Sequence, residues 1–412
     1  MEKTTVAVFF GGNSFEHDVG ILTGLGACRS FDREKFTVIP IYMDLKNQMW
    51  SGDRLFQWKT YPLEGAKKRL VSEARLMVGE EKPTLLITER RLFMKKTRKI
   101  NFDAALLAAV GGAGEGGHLQ GLCEMAGIPY TGCRALPSGI AMNKILAKKV
   151  AKSVGVPTLD DFVIRRPRDE FFDIKDAAKD LPFKFPIIIK PTSLGSSVGV
   201  AKVNNSEELN MAILRVFGLG DDAMAEPFVE NLEEYNISVT RAFTGEISTS
   251  VIERPDKKKS DILGFNEKYL SGDEGKIGGG KLGWKFGGEK LPNYGEGRSE
   301  YFSQTHRIDP EELTVEQKEN IVKWATDIFE ALDCSGVARI DFLRNSKTKE
   351  FYFCEINTIP GSLAFYLWEA SDNFYSYTDL LTALVEEALK LHREKKSDIS
   401  LTASGSAIFR EK

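Results

Sequence analysis

Residues 337–361 contain two apolar runs with polar groups set inside them, an arrangement that is costly unless those groups are paired or metal-bound. The first run is Val-Ala-Arg-Ile-Asp-Phe-Leu. The second is Phe-Tyr-Phe-Cys-Glu-Ile-Asn-Thr-Ile-Pro-Gly. A polar turn at 344–348 separates them, which is the pattern of a β-hairpin. Strict alternation puts Arg339, Asp341 and Leu343 on one face of the first strand. It puts Cys354 and Glu355 on opposite faces of the second, with Asn357 beside Glu355. A guanidinium, two carboxylates and a carboxamide are therefore expected to cluster between paired strands. Asp, Glu and Asn are hard oxygen donors, the set that suits magnesium bridging phosphates. A solvated edge hairpin is the plainer reading, and the apolar neighbours argue against it.

At 412 residues the chain is long enough for two or three domains. Its 56 basic and 59 acidic residues leave a net charge of −3, which gives no electrostatic case for nucleic acid or an anionic membrane. The five cysteines are scattered and lack CxxC spacing, so reduced thiols are expected rather than a zinc site or disulfide framework. The first residues run straight into a strand, so no secretion signal is expected, and no apolar stretch is long enough to span a bilayer. A cytoplasmic location is expected.

In order, residues 4–10 read as a continuous apolar strand that ends at Gly11-Gly12, with a helix to about Ser30. Strand, glycine turn and helix open a parallel α/β domain, whose ligands meet the carboxyl ends of strands. Residues 36–42 and 102–110 read as further strands, the latter ending in a glycine run at 111–117. A single helix is expected over 138–154, capped by Ser138 and carrying Lys144 in its first half. Residues 185–190 form a strand ending at Lys190, beside the loop Pro-Thr-Ser-Leu-Gly-Ser-Ser at 191–197. Lysine, hydroxyls and backbone N–H groups in such a loop suit phosphate. The GxxxxGK[ST] loop does not occur. Residues 206–217 form a helix, and residues 236–243 and 246–252 a hairpin. Ten glycines lie between Gly272 and Gly297, a stretch unable to pack a core and suited to a mobile lid. Helices over 316–332 and 377–395 and a loosely held polar tail complete the chain.

Taken together in this order, several pieces resemble the ATP-grasp superfamily and, within it, the D-alanine–D-alanine ligases. They are Gly-Gly-Asn-Ser-Phe-Glu-His, Gly-Glu-Gly-Gly-His-Leu-Gln-Gly, Ile-Pro-Tyr-Thr-Gly, Met-Asn-Lys, Ile-Lys-Pro-Thr-Ser-Leu-Gly-Ser-Ser-Val-Gly, Glu-Lys-Tyr-Leu-Ser, Ala-Arg-Ile-Asp-Phe and Glu-Ile-Asn-Thr-Ile-Pro-Gly. The resemblance implies an ATP-grasp fold of mixed α/β and α+β class. Its parts would be an N-terminal parallel α/β substrate domain (1–135), a central subdomain (136–222), a C-terminal subdomain (223–395) and a polar tail (396–412). It implies ATP and Mg2+ as cofactors, with two ions expected and Mn2+ as a substitute, small amino-acid substrates and a homodimer.

The resemblance also assigns residues. Asp341, Glu355 and Asn357 match metal ligands. Lys144 and Lys190 match phosphate-binding lysines, and Ser196 and Ser197 a loop over the phosphates. Glu226 and Val229 match the adenine hinge, Glu234 the ribose carboxylate, and Lys268 with Tyr269 the start of a lid. Glu16 matches the group holding the first substrate's ammonium; with Ser196 and Tyr269 it forms a lid-ordering trio. Arg339 and the Gly361 N–H match oxyanion donors. Glu115 falls in the substrate set. The chain departs from the family pattern at Val110, Gly116, Gly20, Leu194 and the segment 362–366, where Tyr366 aligns with a serine that binds the second substrate's carboxylate. The implied activity is joining two D-alanine molecules through an acylphosphate for peptidoglycan precursor synthesis. A ligase making a different dipeptide or mixed D-alanyl product is the alternative.

Overall fold

In the first sheet, the strand β1 (Thr4–Gly11) is buried along nearly its whole length, as a strand covered on both faces must be. The computed structural model describes residues 2–90, 95–168, 180–255 and 306–403. Lys268, Tyr269 and the glycine-rich stretch at 272–297 lie outside the described residues.

β1 pairs in parallel with β2 (Phe36–Met43) and, on its other side, with β7 (Ala104–Ala108). The expected parallel domain is therefore present at its centre, but the sheet is mixed. β3 (Met49–Ser51), β4 (Ser72–Met77), β5 (Thr84–Arg90) and β6 (Lys95–Asn101) extend it by antiparallel pairing, giving the order β6-β5-β4-β3-β2-β1-β7. These strands escaped sequence reading because they are mostly polar; in Lys-Lys-Thr-Arg-Lys-Ile-Asn only the isoleucine is not exposed.

Helix α1 (His17–Ser30) follows β1, as expected. The glycine run after β7 is structured. Gly111, Gly112 and Gly117 take positive φ and turn the chain into the short helices α2 (Gly112–Glu115) and α3 (His118–Met125).

The single helix expected over 138–154 is two. α4 (Ala135–Met142) ends and α5 (Lys144–Ser153) restarts at Asn143, whose side-chain oxygen accepts from the N–H groups of Ile145 and Leu146, each at 3.1 Å. Ser138 caps nothing; buried inside α4, it donates to the Cys133 carbonyl. The break puts Lys144 in the first turn of α5 with its side chain buried.

The second sheet has the order β10-β9-β11-β8, from β8 (Phe162–Ile164), β9 (Ile187–Pro191), β10 (Ala201–Val203) and β11 (Ala223–Pro227). Helix α6 (Ser206–Gly218) packs Leu209, Ile213 and Val216 against Ile187 and Ile189.

The third sheet has the order β14-β13-β12-β15-β16, from β12 (Leu232–Thr240), β13 (Ser248–Pro255), β14 (His306–Ile308), β15 (Val337–Asn345) and β16 (Phe351–Asn357). Helix α7 (Val315–Ala331) opens with a Thr314–Gln317 capping box and buries Ile321, Ile328 and Phe329 with Tyr235, Ile237 and Phe342.

After a short α8 (Phe365–Glu369), helix α9 (Tyr377–Ala403) returns to the first sheet, where Leu380, Leu381, Leu384 and Val385 join the core around β1. α9 runs eight residues beyond the expected end at 395, because no glycine or proline intervenes before 404. Among the described residues no helix is long and apolar enough to cross a membrane.

Candidate functional site

The hairpin pairs Arg339 with Asn357 and Asp341 with Glu355, but Phe342 then pairs with Phe353, leaving Cys354 as an extra residue. This bulge corrects the expected alternation. Phe353 and Ile356 are both buried in the core beside Phe342, a spacing of three that a regular strand cannot supply. Cys354, Glu355 and Asn357 are accordingly all left outside that core, half-buried.

Arg339 donates from Nε and Nη2 to the two oxygens of Asp341, both at 2.7 Å, and Asn357 Nδ2 donates to the second at 3.2 Å. Asp341 is only 1% exposed. Burial pushes its carboxyl up to about 6, Arg339 opposes that, and Glu355 and Glu234 add to it. Glu234, on the neighbouring β12, is buried as well.

Two lysines from different elements face this hairpin. Lys144 Nζ donates to the Leu194 carbonyl at 2.7 Å and stands 3.3 Å from Glu355. Leu194, where the family pattern has a charged residue, thus anchors its loop through the backbone. Lys190 ends β9 and lies 2.6 Å from Glu226 Oε2. Burial works against its charge, but Glu226, with Cys354 and Glu355 beyond, holds its titration above the ordinary lysine range.

Lys148 was missed in the sequence. It donates to Glu226 Oε1 at 2.5 Å and reaches Asp161 at 3.0 Å. Its spacing of four from Lys144, on one helix face, is the signal that could have found it. Both Glu226 oxygens are thus engaged by lysines, and Val229, the other residue expected at a hinge, is buried.

Glu16 accepts a hydrogen bond from Ser196 Oγ, joining the start of α1 to the loop after β9. Ser196 and Ser197 both take left-handed backbone conformations. Gly111 makes room for this carboxylate: at φ +69°, a Cβ there would lie 2.4 Å from Glu16 Oε2.

Glu115, expected among substrate-binding groups, is engaged by the backbone. It is buried and accepts from the N–H groups of Gly111 at 2.9 Å and Ile359 at 3.0 Å, tying the glycine turn to the segment after β16. Burial first, and Glu16 second, push its carboxyl up to about 7.

Gly361 opens a 3-10 turn in which Ser362, Leu363 and Ala364 are left-handed, and Ser362 N–H donates to Thr23 Oγ1 at 2.9 Å. That turn aims Tyr366 so that its hydroxyl donates to Glu253 at 2.7 Å. Among the described residues no three histidine, cysteine or acidic side chains group as a cation site; the expected set has two carboxylates and an amide.

The site thus draws lysines from α5 and β9, acids from β15 and β16, and a carboxylate from the start of α1. A sequence profile described as D-ala D-ala ligase N-terminus matches residues 5–133, and one described as D-ala D-ala ligase C-terminus matches residues 150–278 and 294–386. The chain belongs to the D-alanine–D-alanine ligase family. It is 32% identical over 399 residues to the D-alanine–D-alanine ligase of Thermosipho melanesiensis, with 95% of each chain covered.

Among solved structures, the D-alanine–D-alanine ligase from Coxiella burnetii matches with a TM-score of 0.75 at 24% identity, covering 98% of this chain and 99% of that one. The VanG D-Ala:D-Ser ligase from Enterococcus faecalis matches with 0.70 at 22% identity, covering 94% and 100%. These two likenesses establish the ATP-grasp fold. Two departures from the ligase pattern now have a setting. A Cβ on Gly20 would lie 3.1 to 3.3 Å from backbone atoms of Gly11 and Val110. Val110 itself is packed into the first core.

Proposed function

We propose that this chain is an ATP-dependent carboxylate–amine ligase that joins two D-alanine molecules for peptidoglycan precursor synthesis. A carboxylate oxygen of the first amino acid attacks the γ-phosphorus, and ADP leaves. The amine of the second then attacks the acyl carbon of the acylphosphate, forming the C–N bond as phosphate departs with that oxygen. The convergence of Lys144 and Lys190 on the face of Asp341, Glu355 and Asn357 carries this reading.

In this reading Lys144 and Lys190 hold the phosphates, and Ser196 and Ser197 close over them. The backbone between Glu226 and Val229 lies along the adenine, and Glu234 takes the ribose. Glu16 holds the first substrate's ammonium. Arg339 and the Gly361 N–H stabilise the developing oxyanion. Lys268 and Tyr269 remain assigned by resemblance.

The donor set fits Mg2+ or Mn2+. Two carboxylates and an amide occupy neighbouring positions, and Asp341 is driven up by burial and by neighbouring acids despite Arg339. When bound, two such ions would neutralise charge on the transferring phosphoryl group. A cytoplasmic homodimer completes the proposal.

The test is phosphate release from ATP by purified protein with magnesium and defined amino acids. Release that requires D-alanine is expected. Release with another amino acid but not D-alanine would replace this reading with a ligase of different product.

A further inference from the structure

The turn between α6 and β11 carries a carboxylate that the ligase roles do not use. Asp221 Oδ2 accepts from the Ser193 N–H at 2.7 Å, and Oδ1 accepts from Thr192 Oγ1 and the Asp222 N–H, each at 2.8 Å. Gly220 follows the last residues of α6 at φ +87°, the left-handed turn that ends a helix and redirects the chain. Among the described residues no lysine or arginine pairs with Asp221; Arg165 pairs with Asp222 instead, at 2.6 Å. The Asp221 charge is therefore directed at neutral donors, and hydrogen bonds to an ionised acceptor hold their donors more firmly than neutral ones do.

The residues held in this way are the root of the loop at 191–197. The other side of that root is held by α5. The Lys144 N–H donates to the Thr192 carbonyl at 2.8 Å, and Lys144 Nζ donates to the Leu194 carbonyl at 2.7 Å. Asn143 Nδ2 reaches Ser193 Oγ at 3.5 Å, and the Asp222 carbonyl accepts from the Thr192 N–H at 3.1 Å. Residues 192–194 are thus clamped between the start of α5 and the turn before β11, with the Asp221 carboxylate as the side-chain part of the clamp on the β11 side. Beyond the root, Ser196 and Ser197 are left-handed and Ser196 donates to Glu16. A shift of the root displaces Lys144 and these serines together.

We infer that Asp221 is a positioning residue for phosphoryl transfer: it fixes the root of the loop at 191–197 so that Lys144 and the loop's serines meet the phosphates of ATP. This inference rests on the ligase reading for its chemistry, whereas its first test needs ATP binding alone.

Calorimetric titration of the full chain with ATP and magnesium, and separately with adenosine, reads the phosphate contacts apart from those of base and ribose. Asp221→Ala leaves the Thr192 hydroxyl and the Ser193 N–H without their acceptor. It should weaken ATP binding about tenfold and adenosine binding less than about twofold. Asp221→Asn keeps the size and one acceptor oxygen but turns an amide N–H toward one of the donors, so it should fall between wild type and Asp221→Ala. Thr192→Val removes one of the two loop bonds and should add little on top of Asp221→Ala. In turnover, Asp221→Ala should lower kcat by up to about a hundredfold and leave KM for D-alanine nearly unchanged. Thermal melting verifies folding; where Asp221→Ala does not melt cooperatively, Asp221→Asn and Thr192→Val supply the same comparison. A merely structural Asp221 would lower the melting temperature and weaken ATP and adenosine equally or not at all, and that result would overturn the inference. A wild-type protein that binds ATP but turns over no amino acid would instead overturn the ligase reading, and the comparison of ATP with adenosine would still decide the role of Asp221.

Discussion

Glu226 is held by Lys148 on one oxygen and Lys190 on the other, all three buried. Losing Lys148 leaves Lys190 on the other oxygen of Glu226, so the carboxylate keeps a charged partner and loses one charge-assisted hydrogen bond. Lys148→Ala is expected to destabilise the fold by about 2 kcal/mol in urea unfolding, and to raise KM for ATP because Lys190 is drawn toward Glu226. A loss below about 0.5 kcal/mol, the scale of an exposed pair, would show the pair to be solvated.

Glu115 gives a pH signature. Its unfolded value is 4.5 and its folded value about 7, so the folded protein holds the proton more tightly. The associated stability is present below about pH 4.5 and is lost as pH rises through about 7, by on the order of 3 kcal/mol. Glu115→Gln cannot ionise and should flatten this fall when unfolding is followed from pH 5 to 8; an unchanged slope would contradict the assignment. The structural role of Glu115 was not legible in the sequence. Glu115 stands in a glycine run that offers no pattern, and its partner Ile359 is 244 positions away.

At the scale of elements, Asn143 divides what periodicity reads as one helix. The apolar stripe continues through the break, so only the capping geometry reveals it. Asn143→Ala removes two accepted hydrogen bonds and should cost about 1 kcal/mol. It should also weaken ATP binding, since Lys144 is the next residue. A stability cost without any change in KM for ATP would separate the cap from the site.

Gly111→Ala meets both a left-handed backbone and the Glu16 carboxylate at 2.4 Å. The strain alone is worth about 1–3 kcal/mol, and displacement of Glu16 should raise KM for the first amino acid more than KM for ATP. Elements whose periodicity matched their burial were readable, as in β1, α1, α6, α7 and the two arms of the site hairpin. The bulge at Cys354 was not, because it depends on which β15 residue each β16 residue faces. The antiparallel half of the first sheet was hidden for a related reason: its edge strands carry lysines where a core strand would be apolar.

Across the whole molecule, the chain's last long helix closes the core of its first sheet, and the site lies where the start of α1, the second sheet and its following loop, and the hairpin of the third sheet come together. The hairpin's polar set was visible in sequence because apolar flanks make it expensive. Its partners became visible only through the order of the motifs, since lysines at 144 and 190 and a glutamate at 16 are individually unremarkable. The central claim is that a carboxylate is activated as an acylphosphate before the amine attacks. D-alanine labelled with 18O in its carboxylate tests this directly: its oxygen is transferred to the departing phosphate. Mass analysis of phosphate released during dipeptide synthesis is predicted to show one 18O per phosphate, and unlabelled phosphate formed in step with dipeptide would contradict the account.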